Sequence, residues 1–184
     1  MKIFAIYSPI YLVSKPDWLD EYRDKYDQHF DFHVTLKQPC YINASQMPDI
    51  KNKLSTFFDE LKLADSEIQL VFEKLITDNS DPADGVIMIE AQNPAIFNLQ
   101  KGIVLALSDY KQYLEPVSKE WEENFRPHLT IAYNLDSEKF GKAKKELPQD
   151  YVCRGVIREV ELAIKEPKGA DNTKADREVV VYRL

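Results

Sequence analysis

One phrase is written twice in this chain: Phe32-His33-Val34-Thr35-Leu36 and, 95 positions later (128 minus 33), Pro127-His128-Leu129-Thr130-Ile131. The chain has three histidines, and two of them sit in this apolar frame. In a strand, side chains alternate between faces, so each His shares a face with the Thr two residues on. Val34, Leu36, Leu129 and Ile131 then point into a core. A single such phrase would say little, but two in matching phase constrain the fold. Set side by side, the two strands would place two imidazoles and two hydroxyls around one cleft. That is the equipment for moving protons about a tetrahedral centre such as a phosphate. The third, His29, falls near the polar end of a predicted helix without such a frame and is read as incidental.

Around these phrases strand and helix patterns alternate. Lys2 to Tyr7 predicts a strand, ended by Ser8-Pro9. Lys15 to Gln28 predicts a charged helix, with Pro16 in its first turn and Trp18, Leu19, Tyr22 and Tyr26 at helical spacing. The first histidine strand is closed by Pro39. Pro48 to Leu63 then predicts an amphipathic helix on Ile50, Leu54, Phe57, Phe58 and Leu61. Glu67 to Thr77 predicts a strand, and Asp78 to Gly85 a turn leading into a strand at Val86 to Ala91.

The order then repeats, with a helix over Pro94 to Tyr113, the second histidine strand over His128 to Tyr133, and a helix over Ser137 to Leu147. Val152 to Lys165 and Arg177 to Arg183 read as a hairpin across the polar loop Glu166 to Asp176. The expected fold is α+β, a single domain over residues 1–184. It would have two pseudo-symmetric lobes, about 1–84 and about 85–184, each a strand-helix-strand-helix-strand unit. Mainly antiparallel sheets would line a central cleft, with helices outside and the terminal strand free to cross over.

At 184 residues, with 44% hydrophobic and 30% charged residues, the composition is that of a soluble globular protein. No run of 18 apolar residues occurs, and Met1 to Ile6 is too short for a signal-peptide core, so a cytoplasmic location without membrane contact is expected. Cys40 and Cys153 are read as buried, reduced thiols. No Cys/His cluster has zinc spacing, so neither a metal nor another cofactor is expected. The net charge of −7 argues against gripping a long nucleic-acid duplex, which rewards clustered Lys and Arg. Lys142, Lys144 and Lys145 are flanked by Glu138 and Glu146 and read as a solvated helix face. A small or terminal phosphoester suits this charge better, bound by a monomer.

The paired phrases resemble the signature of the two-histidine (2H) phosphoesterases, a superfamily that includes bacterial 2′-5′ RNA ligase-like proteins and 2′,3′-cyclic nucleotide phosphodiesterases. That signature is a pair of H-x-[ST]-hydrophobic motifs, one per pseudo-symmetric lobe. His33-Val34-Thr35-Leu36 and His128-Leu129-Thr130-Ile131 match both copies in full, and Pro127 also looks like the second motif. The resemblance implies a metal-independent hydrolase acting on 2′,3′-cyclic phosphate or 2′-5′ phosphodiester bonds of a small nucleotide or RNA end. The same acid-base pair could run ligation in reverse.

His33 and His128 are the expected catalytic pair, though which is acid and which is base is not readable from sequence. Thr35 and Thr130 are placed to donate to phosphate oxygens. Extending the alternation puts Lys37 on the face of His33, and Arg126 on the face of His128 if that strand begins early enough, as candidate cations for the phosphate. Tyr7 and Tyr133, on or beside the same strands, are candidate base-stacking residues at the rim. A non-catalytic module holding a nucleotide or RNA end is the alternative, and the paired histidines argue against it. A serine hydrolase is excluded, since no G-x-S-x-G elbow occurs.

Overall fold

The structure, a computed structural model, describes residues 1–26, 31–61, 67–167 and 177–184. His29 and most of the Glu166 to Asp176 loop lie outside the described residues. The fold is α+β with two antiparallel sheets. The first holds β1 (Lys2–Pro9), β3 (His33–Ile42), β8 (Glu159–Lys165) and β9 (Arg177–Arg183) in the order β3-β1-β8-β9. The second holds β2 (Tyr11–Ser14), β4 (Ile68–Asp78), β5 (Gly85–Ala91), β6 (His128–Leu135) and β7 (Cys153–Ile157) in the order β2-β7-β4-β5-β6. The predicted strand over Val152 to Lys165 is thus two strands that part at Arg158 and enter different sheets.

Helices α1 (Leu19–Tyr26), α2 (Met47–Leu61), α3 (Pro94–Ala106), α4 (Val117–Glu123) and α5 (Ser137–Glu146) are started by local chemistry where caps are present. The Asn93 side chain accepts from the Ala95 amide at 2.7 Å ahead of Pro94, and Asp136 accepts from the Lys139 amide at 2.8 Å. The helix expected to run to Tyr113 ends earlier, because tertiary contacts claim the following residues. Tyr110 turns inward against Phe4 and donates to Asp49 at 2.5 Å. The Leu114 amide bonds to the Pro39 carbonyl at 2.8 Å, and the Tyr41 amide to the Gln112 carbonyl at 2.7 Å. None of the helices among the described residues is long and apolar enough to cross a membrane.

The two units are interlaced. β1 pairs with β3 of its own unit and with β8 of the other, while β5 pairs with β6 of its own unit and with β4 of the other. The helices cross as well, α1 packing near β6 and α3 near β3. Each sheet therefore draws strands from both sides of residue 84. Its helix-covered face carries the core, which includes Phe4, Ile6, Leu36 and Leu162 in one sheet and Ile87, Ile89, Leu129 and Ile131 in the other.

The register contains the same irregularity in both histidine strands. Tyr7 pairs with Thr35 but Ile6 with Lys37, so β3 carries one extra residue at Leu36. Met88 pairs with Thr130 but Ile87 with Ala132, so β6 carries one extra residue at Ile131. Such a β-bulge restarts the alternation in the opposite phase. Lys37 therefore does not share the face of His33 and Thr35, as unbroken alternation predicts. It turns to the side of Ile6, is 1% exposed, and reaches Glu122 on α4 at 2.8 Å.

This ion pair is buried at both ends, Glu122 being 6% exposed. Tyr113 donates its hydroxyl to the Glu122 carboxylate at 2.8 Å and the Gln38 amide does so at 3.1 Å. The cluster ties α4 to β3. Removing one partner of a buried pair strands the other charge, so Lys37→Met is expected to cost about 3–5 kcal/mol in urea denaturation. The double variant Lys37→Met with Glu122→Leu is expected to recover most of that loss; a single variant within about 1 kcal/mol of wild type would contradict this account.

Candidate active site

β3 and β6 are each at one end of their sheet, and these two end strands touch. His33, Thr35, His128 and Thr130 are all partly buried, with surface left to solvent. The two imidazoles lie close enough for a charge on His33 to act on His128. The two histidine strands, from separate sheets, thus come together at their ends.

Each imidazole is held in the same way. The Nδ1 of His33 lies 2.8 Å from the Asp31 carbonyl, and that of His128 lies 2.6 Å from the Arg126 carbonyl. A carbonyl oxygen can only accept, so in the neutral ring Nδ1 carries the proton and Nε2 keeps its lone pair. Both rings therefore use Nε2 for any proton they exchange with a bound molecule. Each carbonyl sits two residues before its histidine, a constraint that side-chain patterning does not disclose.

An aromatic ring flanks each imidazole. Tyr7 meets His33 edge-on at 5.0 Å and 77°, and Trp121 lies 6.2 Å from His128 at 59°. Burial pushes the Tyr7 phenol up, against the pull of Arg177, so it stays a neutral hydroxyl. Trp121 was not singled out by sequence because α4 was not expected, and the helix that carries it is anchored by Glu122. Glu90 was missed too: it pairs across the sheet with His128 and lies buried.

Neither expected cation stands on the strand face of its histidine. β6 begins at His128, so Arg126 precedes the strand; its side chain is exposed, and its main-chain carbonyl is what meets the imidazole. Lys37 is committed to Glu122 rather than to the cleft. Tyr133 follows the bulge in β6 and is 42% exposed. Lys142, Lys144 and Lys145 stand exposed on α5. Cys40 and Cys153 are free and buried, and burial pushes the Cys153 thiol up to about 11. Among the described residues no three His, Cys, Asp or Glu side chains gather as a metal site would require.

The profile of the 2′-5′ RNA ligase superfamily matches residues 13–168. A protein of Halalkalibacterium halodurans, provisionally named phosphoesterase BH1439, is 25% identical over 140 residues, 71% of this chain and 74% of the relative. Among solved structures, Usb1 of Kluyveromyces marxianus is similar with a TM-score of 0.56 at 10% identity, over 99% of this chain and 98% of that one. Escherichia coli LigT, complexed with 3′-AMP, gives 0.51 at 11% identity over 100% and 96%. TT0787 of Thermus thermophilus gives 0.53 at 14% identity over 98% and 94%. At these identities the likeness is one of fold, and it extends over nearly the whole of each chain.

Burial holds the His128 imidazole below its ordinary value; His33 acts in the same direction, and the Arg126 carbonyl and Glu90 act against it. Above the ordinary value of about 6.5, folded and unfolded chains both carry this ring neutral. As pH falls through that value the unfolded chain takes the proton first, so the stability this group contributes is lost until the folded ring also titrates. His128→Gln is therefore expected to lose less stability than wild type between about pH 6.5 and 5. Urea midpoints measured across that window check this, and parallel losses in the two proteins would contradict it.

Proposed function

Because the chain belongs to the 2′-5′ RNA ligase superfamily, we propose that it is a phosphoesterase that uses His33 and His128 to open 2′,3′-cyclic phosphates or 2′-5′ phosphodiester bonds of nucleotides or RNA ends. The observation that carries this reading is the matched pair of imidazoles, each with Nδ1 given to a carbonyl two residues upstream. Such a pair can hold one lone pair and one proton ready on its two Nε2 atoms.

In hydrolysis, one neutral imidazole takes a proton at Nε2 from water as the water oxygen bonds to phosphorus. The other, protonated at Nε2, gives its proton to the ribose oxygen as the phosphorus–oxygen bond to that oxygen breaks. Thr35 and Thr130 donate to the non-bridging oxygens and offset the charge that builds on them. Reversal of the same steps joins ends instead of parting them. A nucleobase stacked on Trp121 beside His128, or on Tyr7 beside His33, would gain about 1–3 kcal/mol. A small nucleotide ligand is supported by two similar structures, LigT complexed with 3′-AMP and Usb1 with uridine monophosphate. Each chain holds a complete pair of motifs, so a monomer suffices, and the reading assigns no step to a metal.

The test is turnover of 2′,3′-cyclic mononucleotides and 2′-5′ dinucleotides in the presence of chelator. His33→Ala and His128→Ala are each expected to lower kcat about 10²–10⁴-fold while nucleotide affinity is kept, and the wild-type rate is expected to be bell-shaped in pH. Wild-type protein that binds nucleotides yet leaves every phosphoester intact would instead make the cleft a binding module.

A further inference from the structure

The cleft face of the second sheet carries a row of charge that the two-histidine reading does not use. Lys74 on β4 pairs with Glu90 on β5, and Glu90 pairs with His128 on β6. Directly opposed residues in antiparallel strands stand on the same face with their side chains in reach, so the three form one line across the sheet. Glu90 is 4% exposed. Its Oε1 accepts from Gln92 Nε2 at 2.9 Å, and its Oε2 is ion-paired with Lys74 Nζ at 2.9 Å. A carboxylate so deeply placed costs free energy unless a counter-charge and hydrogen bonds compensate it, and Lys74 and Gln92 are those partners here.

The pseudo-symmetry shows that the fold does not require a carboxylate at this place. In the other lobe the residue paired with His33 is Pro9. The main chain there is equivalent: the Ile10 amide bonds to the Phe32 carbonyl at 2.8 Å, as the Ala91 amide bonds to the Pro127 carbonyl at 2.8 Å. A residue with no charge thus serves the same register in one lobe, and a buried acid serves it in the other. The difference falls beside one of the two histidines.

We propose that Glu90 is a positioning residue that sustains the imidazolium of His128, with Lys74 tempering its charge. This rests on the reading of His128 as a proton-transfer group. Either role needs the charged ring, since a base ends the step protonated and an acid begins it so. Burial and His33, from β3, oppose that charge, and the Arg126 carbonyl and Glu90 favour it. Lys74, reaching the same carboxylate from β4, weakens the support that Glu90 gives, and Trp121 on α4 supplies a neutral ring.

The experiment follows the ring-proton NMR titration of His128, assigned by its loss in His128→Asn, together with the pH profile of kcat/KM. Glu90→Gln is expected to move the His128 midpoint to lower pH by at least about half a pH unit, and Lys74→Met to move it upward by less. One limb of the rate profile is expected to shift with the midpoint. Movement of the acid limb marks His128 as base, and movement of the alkaline limb marks it as acid. Opposite shifts from two neighbouring variants are not produced by a merely structural role. Should Glu90→Gln fail to fold, the exposed Lys74 variant decides alone. Midpoints unmoved in every folded variant would overturn the inference even if histidine variants abolish turnover. Wild-type protein inert toward all phosphoesters would instead remove the proposed function and leave the titration to decide Glu90.

Discussion

The pleat of β3 and β6 puts His and Thr on one face and the apolar residues between them on the other, and the cleft depends on that alternation. Val34 and Leu129 are buried while His33, Thr35, His128 and Thr130 keep contact with solvent. The alternation holds from His33 to Leu36 and from His128 to Ile131 and is then interrupted. The bulges at Leu36 and Ile131 let those residues stay buried and also turn the next residue, Lys37 or Ala132, inward. In one strand the inward residue is a small apolar one. In the other it is a cation that must find a buried partner, and Glu122 is that partner.

That partner links the two sides of the cleft. Lys37 belongs to the strand of the first histidine, while Glu122 belongs to the helix just before the strand of the second. Beside Glu122, Trp121 rests against His128, so the buried pair also fixes the aromatic neighbour of an imidazole. Packing that holds the lobes together and packing that shapes the site are here the same contacts. The two histidines are alike in their carbonyl partners and unlike in their cross-strand neighbours, Pro9 for one and Glu90 for the other.

Much of this was legible in the linear order of residues. The strand at Lys2, the helix with Ile50 and Leu54 inward, and the shared face of each His and Thr follow from periods of 2 and 3.6 that each segment states for itself. Pro94 after Asn93, and Asp136 before Ser137, announce their helices locally. The readings that did not survive depend on something outside the segment. Lys37 was expected on the cleft because no sequence signal marks the bulge at Leu36. The helix from Pro94 was expected to continue because nothing nearby shows that Tyr110 is needed against Phe4 and Asp49.

What the residues determined by themselves is therefore the set of elements and, within each histidine strand, which side chains travel together. Those are local properties, decided by backbone geometry over a few residues. Which strands pair, that β4 and β8 exchange units, that α4 exists and carries Trp121, and that Glu90 stands beside His128 were decided only when the chain closed on itself. Hydrogen-bonded ladders accept many partners of similar pattern, and the choice among them is made by burial summed over the whole core.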